Sequence, residues 1–206
     1  MSQVNWANRV TLMRVMFIPV FLVVLLGEWP HFVPNPAWWS AAKPWLAALI
    51  FAGVAATDAV DGYLARSRNQ VTTFGKFIDP LADKLLVTAA LVALVDLGSL
   101  PSWIALVIIS RELIVSGLRM VAIAEGKVIA ASWYGKIKTI LQIVAIVAFI
   151  VKDSPVVTDV LGSAAASVVQ WGAWIVMAAA IVATVLSMAD YFYHARDILT
   201  GPWTRR

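Results

Sequence analysis

The sequence has no cysteine among its 206 residues, so it can form neither disulfide bonds nor thiolate metal sites. Its two histidines, His31 and His194, lie far along the chain from the main acidic cluster, and we interpret them as surface residues rather than ligands. Charged residues are also scarce, at 14% against about 25% in soluble domains. This composition argues against an ordinary soluble domain.

Apolar residues take the place of the missing charges. The chain is 61% hydrophobic with a mean hydropathy of +0.83, and its apolar runs are each followed by a polar break. A transmembrane helix needs about 20 such residues. The sequence therefore predicts an all-α integral membrane protein with six transmembrane helices, in a single domain that covers residues 1–206.

The predicted helix boundaries follow these breaks. The first helix follows Arg9 and Arg14 and ends at Leu26, and residues 27–43, rich in Pro and Trp, are predicted to be a loop at the membrane surface. The next helices cover about 44–66, 72–95, 102–124 and 136–151, with a turn at 96–101. Residues 159–167 are either a short surface helix or the start of the sixth helix, which ends near 193 before a basic tail.

The basic residues predict the orientation. The formal net charge is +4, and on these boundaries all Lys and Arg residues except Lys43 and Lys152 fall on one side of the membrane. The positive-inside rule then puts both termini in the cytoplasm, as expected for a multi-pass protein of the cytoplasmic (inner) membrane. This distribution favours anionic lipid head groups over nucleic acid as acidic neighbours.

Four aspartates form the cluster around which the chain is organised: Asp58, Asp61, Asp79 and Asp83. On helices, each pair at spacing three or four shares one face. Two such helices would aim all four acids at one point, where they need a counter-charge such as a divalent metal or metal pair held by oxygen ligands. The argument that Asp79 and Asp83 share one helix face is weaker if their helix begins only at Asp79, next to Pro80.

A metal pair at this cluster would bind phosphate oxygens and could stabilise a displacement at phosphorus. The small residues Gly62, Ala65 and Gly75 would let a nucleotide approach the helix backbones, and Arg66 could neutralise a phosphate. One of the carboxylates could accept a proton from an attacking hydroxyl. Simple ion pairs with nearby Arg and Lys would explain the charges but not the small residues.

The stretch Asp58-x2-Asp61-Gly62-x2-Ala65-Arg66-x8-Gly75-x3-Asp79-x3-Asp83 resembles the signature of the CDP-alcohol phosphotransferase family at every fixed position. The resemblance implies that family's six-helix fold, two divalent ions (Mg²⁺ or Mn²⁺) and transfer of a phosphatidyl group from a CDP-linked lipid to an alcohol, with release of CMP. It implies one ion on Asp58, Asp61 and Asp79, and another on Asp58, Asp79 and Asp83. Asp83 would be the general base, and the implied nucleotide contacts are Gly62, Ala65, Arg66 and Thr72.

Looser motifs extend the resemblance over nearly the whole chain. Asn8-x2-Thr11-x2-Arg14, Arg111-Glu112 with Leu118-Arg119, and Ser132-x2-Gly135-Lys136-x-Lys138-Thr139 are similar to family members that use sn-glycerol 3-phosphate as the acceptor. A dianionic phosphate needs cations, and Arg111, Arg119, Lys136 and Lys138 are available. Asn8 and Thr11 either contact the nucleotide or cap the first helix.

Several alternatives stay open at this point. The acceptor could instead be an inositol phosphate or a second lipid, phosphatidylglycerol, because charge alone does not separate phosphate-bearing acceptors. Acids between helices would also suit a divalent-cation transporter, although that function leaves the small residues and the cations without a role. The expected partners are CDP-diacylglycerol, sn-glycerol 3-phosphate and membrane lipids, and a homodimer is allowed. Glu112 is predicted to pair with Arg111 or Arg119.

Overall fold

The computed structural model describes residues 6–28, 36–68, 73–124, 133–160 and 162–199, with side chains described outside 6–12, 37, 58–83, 123–124, 134, 195 and 197–199. This part of the chain contains only helices and their connections, which confirms the predicted all-α class. The elements are α1 (Trp6–Leu26), α2 (Ala37–Arg68), α3 (Thr73–Asp96), α4 (Ser102–Ala124), α5 (Trp133–Val151), a π-helix (Val156–Val160) and α6 (Gly162–Leu199).

The helices pack around one apolar core. α1 contacts α2 and α3, α5 contacts α2, α3 and α6, and α4 contacts α3 and α6. Phe21 of α1 and Phe51 of α2 are fully buried with ring centroids 5.6 Å apart, and Phe149 of α5 meets the edge of Trp174 of α6. Truncating such a phenylalanine to alanine typically costs about 3–5 kcal/mol. These contacts fix the relative positions of the helices that carry the polar residues described below.

The turn between α3 and α4 depends on a glycine. Gly98 has a φ of 67°, and its N–H donates to the carbonyl of Val95 while the N–H of Ser99 donates to that of Leu94, both at 3.0 Å. This pair of bonds is the Schellman arrangement that ends many helices, and its left-handed residue is usually glycine because a Cβ is disfavoured there. The predicted turn at 96–101 is therefore confirmed.

Two helices begin earlier than the sequence analysis predicted. α2 begins at Ala37 rather than at Pro44, so the predicted surface loop at 27–43 is wrong from residue 37 onwards. Alanines favour helix over this stretch, and the N–H of Trp39 already donates to the carbonyl of Pro36. α5 begins at Trp133 rather than at Lys136, because Gly135 falls in its first turn, where backbone N–H groups have no intrahelical partner to lose.

The last helix is longer than predicted. α6 ends at Leu199, six residues beyond the predicted boundary near 193, so the first part of the predicted tail is helical. Within this extension the guanidinium of Arg196 lies 4.7 Å from the ring centroid of Tyr193, and a cation in a last turn is favoured by the helix dipole. Before α6, the predicted short helix at 159–167 corresponds to the end of the π-helix and the first turns of α6.

Two helical stretches of the described residues are long and apolar enough to cross a membrane, Trp38–Thr57 and Gly162–His194. Met13–Leu26 is a shorter apolar helix. The described residues thus contain six α-helices, of which two are supported as membrane spans by their length and composition.

Candidate functional site

The four aspartates of the sequence motif lie on two continuous helices. Asp58 and Asp61 fall in the last three turns of α2, and Asp79 and Asp83 fall within α3, which begins at Thr73. The helix therefore starts well before Asp79, and each pair shares a helix face as the spacing requires. α2 and α3 also contact each other. The aspartate side chains lie outside the described part of the chain, so their convergence on one point stays a prediction.

All but one of the predicted nucleotide contacts lie on the same two helices and on α1. Gly62, Ala65 and Arg66 belong to the last two turns of α2, and Gly75 belongs to the first turn of α3. Thr72 lies outside the described residues.

Asn8 and Thr11 lie inside α1, which begins at Trp6. Neither of them therefore occupies the residue before the helix, where a capping side chain sits. Their side chains lie outside the description, and contact with the nucleotide stays a prediction.

A polar cavity of about 160 Å³ opens among α1, α2, α3, α4 and α5. It is lined by Arg14, Val54, Ala55, Lys84, Leu86, Val87, Glu112, Lys138, Thr139, Gln142 and Ile143. Lys84 follows Asp83 directly in α3, so the cavity lies next to the acid-bearing helix segments. Arg14 and Lys138 are only 5% and 3% exposed. The described lining thus contains three cations and one carboxylate, which makes the cavity suited to an anion.

Glu112 organises the buried cations on one side of this cavity. Its Oε1 accepts a hydrogen bond from Lys138 Nζ, and Arg111 Nη1 lies 3.2 Å from the same oxygen. Burying two cations is costly unless each is paired and hydrogen-bonded. The predicted pairing of Glu112 with Arg111 is confirmed, whereas Arg119, the other predicted partner, is exposed. The pairing with Lys138, from a neighbouring helix, was not predicted.

Polar side chains of α6 support this arrangement from behind. Arg111 Nη2 donates to Ser187 Oγ at 2.5 Å, and its guanidinium lies 5.7 Å from the ring centroid of Tyr191. One turn away, Gln142 Nε2 donates to Thr184 Oγ1 at 3.1 Å. Sequence reasoning missed these partners. The available signal was the isolation of Gln142, Thr184 and Ser187 within strongly apolar helices.

The four residues predicted to bind the acceptor phosphate separate into two pairs. Lys138 lines the cavity and Arg111 lies directly behind it on Glu112. Arg119 is exposed, and Lys136 is exposed with its ammonium 5.7 Å from the ring centroid of Trp133. Neither of these two lines the cavity. Arg14 and Lys84, which the sequence analysis did not assign to the acceptor, line it instead.

Comparisons with known proteins identify the family of this chain. The model of the CDP-alcohol phosphatidyltransferase family matches residues 4–195. The chain is 41% identical over 191 residues to the CDP-diacylglycerol--glycerol-3-phosphate 3-phosphatidyltransferase of Bacillus subtilis, which covers 91% of this chain and 93% of the relative.

Two further relatives carry similar names. A probable phosphatidylglycerophosphate synthase of Mycobacterium tuberculosis is 43% identical over 94% of this chain and 83% of its own length. The CDP-diacylglycerol--glycerol-3-phosphate 3-phosphatidyltransferase of Escherichia coli K12 is 43% identical over 70% of this chain and 75% of its own. The acid motif at the end of α2 and the start of α3 agrees with the extent of the family match and with the identity to these relatives. The chain belongs to the CDP-alcohol phosphatidyltransferase family.

Proposed function

We propose that this protein transfers the phosphatidyl group of CDP-diacylglycerol to sn-glycerol 3-phosphate, giving phosphatidylglycerol phosphate and CMP. Membership of the family and the names of the relatives support the transfer reaction. The observation that carries the choice of acceptor is the cavity beside the acid-bearing helices, where the side chains of Arg14, Lys84 and Lys138 line one space. Charged donors of this kind can bind a dianionic phosphate on the acceptor.

The donor set of the acid motif fits divalent metal ions. Four carboxylates at spacings of three and four on continuous helices offer the hard oxygen ligands that Mg²⁺ and Mn²⁺ prefer. Asp58, Asp61, Asp79 and Asp83 would hold two ions. Such ions would neutralise the charge of the pyrophosphate and polarise its phosphorus towards attack. Metal dependence is part of the proposal.

The chain's own residues supply binding and proton transfer. Lys138, Lys84 and Arg14 hold the acceptor phosphate, and Glu112 keeps Lys138 in place. Asp83 accepts the proton of the acceptor hydroxyl, whose oxygen forms a bond to the lipid-side phosphorus while the bond from that phosphorus to CMP breaks. Arg66 balances charge on the departing CMP, and the small residues Gly62, Ala65 and Gly75 admit the nucleotide.

We also propose that all six helices span the cytoplasmic membrane, with both termini and the site on the cytoplasmic side. α1, α3, α4 and α5 have 21, 24, 23 and 19 residues, close to the length that the hydrocarbon core requires. Each presents large apolar side chains to the outside, at Val23, Val92, Leu106 and Ile140. In water such surfaces would be costly. Assembly as a homodimer stays a prediction.

An acceptor screen tests the proposed reaction. Purified protein is incubated with CDP-diacylglycerol, Mg²⁺ and one candidate acceptor at a time, and CMP release is measured. We expect release with sn-glycerol 3-phosphate, little with glycerol or serine, and none without CDP-diacylglycerol. Release with inositol phosphate or phosphatidylglycerol alone would assign a different acceptor. Metal flux in sealed vesicles without any CMP release would favour a transporter.

A further inference from the structure

The polar cavity contains hydrogen-bond acceptors as well as cations. Thr139 lines it, and the Thr139 hydroxyl donates to the carbonyl of Gly135 at 3.0 Å, so its oxygen is left to accept. Glu112 adds a carboxylate to the lining, and Gln142, which is 3% exposed, adds an amide. A dianionic phosphate offers only acceptor oxygens and cannot donate to these groups. The lining is therefore suited to a ligand that carries hydroxyl groups beside its phosphate.

Thr184 of α6 determines how the amide of Gln142 is oriented. Thr184 is fully buried, and its hydroxyl donates to the carbonyl of Ala180 at 2.6 Å. Because a hydroxyl has a single hydrogen, the Thr184 oxygen can only accept from Gln142, whose Nε2 donates to it at 3.1 Å. The reverse orientation would set the amide oxygen against the Thr184 oxygen with no hydrogen between them. The two bonds thus fix the amide nitrogen on the side of α6.

The amide oxygen of Gln142 is the atom that remains for a ligand. Among the described residues, none donates a hydrogen bond to Gln142 Oε1, and this atom is not fully enclosed by the protein either. It therefore keeps access to the cavity that Gln142 lines. A largely buried acceptor without a donor is costly, by about 1–3 kcal/mol. A hydroxyl group of a bound molecule would supply the donor.

The spacing along α5 places this oxygen one helical turn from a phosphate-binding cation. Gln142 follows Lys138 by four residues, so the two side chains share a face about 6 Å apart along the helix axis. Lys84, which follows the proposed base Asp83, lines the same cavity. A molecule with its phosphate at Lys138 and one hydroxyl directed to Asp83 would bring a second hydroxyl within reach of Gln142. sn-Glycerol 3-phosphate has two hydroxyls, on C1 and C2, so one can attack while the other is bound.

We propose that Gln142 accepts a hydrogen bond from the C2 hydroxyl of sn-glycerol 3-phosphate, and that Thr184 is the positioning residue that directs the amide oxygen towards it. The identity of the acceptor rests on the proposed function. The cations hold the phosphate, whereas Gln142 distinguishes this acceptor from phosphates without a neighbouring hydroxyl. A site that binds a hydroxyl discriminates strongly against an analogue without it, because the group of the site is then left unpaired.

A comparison of two acceptors tests this role by kinetics. 3-Hydroxypropyl phosphate keeps the phosphate and the attacking hydroxyl but lacks the C2 hydroxyl. We expect the unaltered protein to prefer sn-glycerol 3-phosphate by at least about 20-fold in kcat/KM, and Gln142→Leu to reduce that preference to within about threefold. Gln170→Leu is the matched control and should keep the full preference, because Gln170 lies on α6 and does not line the cavity. An undiminished preference in Gln142→Leu would overturn the proposal.

Variants of Thr184 test the positioning role and leave the cavity lining unchanged. Thr184→Ser keeps the hydroxyl and should keep the preference between the two acceptors. Thr184→Val has a similar shape without the hydroxyl, so the amide of Gln142 is free to turn. We expect the preference to fall at least about fivefold in Thr184→Val, with little change in kcat/KM for 3-hydroxypropyl phosphate. An equal loss on both acceptors would show a merely structural role. These variants also decide the question if Gln142→Leu does not fold.

Binding without turnover separates this role from the reaction. Isothermal titration calorimetry in detergent, with Mg²⁺ and CMP but no lipid donor, should give a Kd for sn-glycerol 3-phosphate at least about fivefold below that for 3-hydroxypropyl phosphate. Gln142→Leu should bind the two equally. This result would support the role of Gln142 even if the unaltered protein released no CMP, which would reject the proposed function alone. Equal kcat/KM of the unaltered protein for the two acceptors would reject the role of Gln142 and leave the proposed function intact.

Discussion

The two ends of the helical bundle each bury a lysine beside a carboxylate, but in different surroundings. Lys138, near the start of α5, shares Glu112 with Arg111. Lys152 directly follows α5, about 21 Å further along at 1.5 Å per residue, and pairs with Asp153, whose side chain is 50% exposed. The first pair faces a cavity among five helices, whereas the second lies in the turn after α5, where Asp153 lines a different cavity.

The difference in local charge indicates the difference in role. The cavity beside Lys138 has three cations and one carboxylate among its described lining residues. The cavity at the other end, about 250 Å³, has one of each, Lys43 and Asp153. There Lys43 donates to the carbonyl of Gly27 at 2.8 Å and Ser99 donates to Asp153 at 3.0 Å, so the polar groups connect turns to one another. The polar groups at this end therefore have a structural role, whereas those around the cavity beside Lys138 are the ones we propose to bind the acceptor phosphate.

Replacing one aspartate by asparagine at each end of the bundle should give the largest difference in activity. Asp83→Asn should reduce CMP release by about 10²–10⁴-fold, because it removes the proposed proton acceptor. Asp153→Asn should leave the rate nearly unchanged but lower the free energy of unfolding by about 1–3 kcal/mol, because the buried Lys152 loses its carboxylate partner. Initial rates and thermal unfolding of both variants provide the measurement. Substantial activity in Asp83→Asn would refute its assignment as the base.

Replacing the two buried lysines should give the second-largest difference in activity between the two ends. Lys138→Gln should lower kcat/KM for sn-glycerol 3-phosphate by about 30-fold or more, as expected for losing a buried charged contact. Glu112 would keep Arg111 as its partner, so the protein should remain folded. Lys152→Gln should stay within about threefold of the unaltered protein. Comparable losses of kcat/KM in both variants, at equal amounts of folded protein, would contradict the proposed difference in role between the two ends.

Two buried serines allow the smallest and sharpest comparison. Ser187→Ala removes a hydrogen bond to Arg111 and should raise KM for sn-glycerol 3-phosphate about three- to tenfold with little change in kcat. Ser154, at the other end, is 1% exposed, and its Oγ has no hydrogen-bond partner within the described ranges. Ser154→Ala should therefore be neutral or slightly stabilising. Steady-state kinetics with both variants would decide, and a kcat effect without a KM effect in Ser187→Ala would contradict a positioning role.

Helix positions were largely predictable because apolar runs and turn residues are local signals. The turn at Gly98 and the limits of α4 needed nothing beyond the chain itself. Helix starts were less accurate, because Pro44 and Gly135 suggested breaks where the surrounding residues and the tertiary structure maintain a helix. Proline and glycine lower the local propensity for helix, and packing in the folded protein can outweigh that cost.

The site was predictable only where its residues are close in sequence. Glu112 and Arg111 are neighbours, and their pairing was predicted. The pairing of Glu112 with Lys138 and that of Arg111 with Ser187 join different helices, so they depend on how those helices are packed. No local pattern encodes that packing. The same holds for the cavity, where Lys138 is placed beside Arg14 and Lys84 while Lys136, two residues away, is left at the surface.

The hydrogen bonds of α6 have a consequence for how that helix is oriented. Apolar residues occur all around α6, so hydrophobic contact alone would tolerate many rotations about its long axis. Thr184 and Ser187, three residues apart, point the same way and bond to Gln142 and Arg111. Turning the helix by one residue, about 100°, would break both bonds in surroundings without water to replace them. Two small hydroxyl groups therefore fix the rotation of a helix of 38 residues about its long axis.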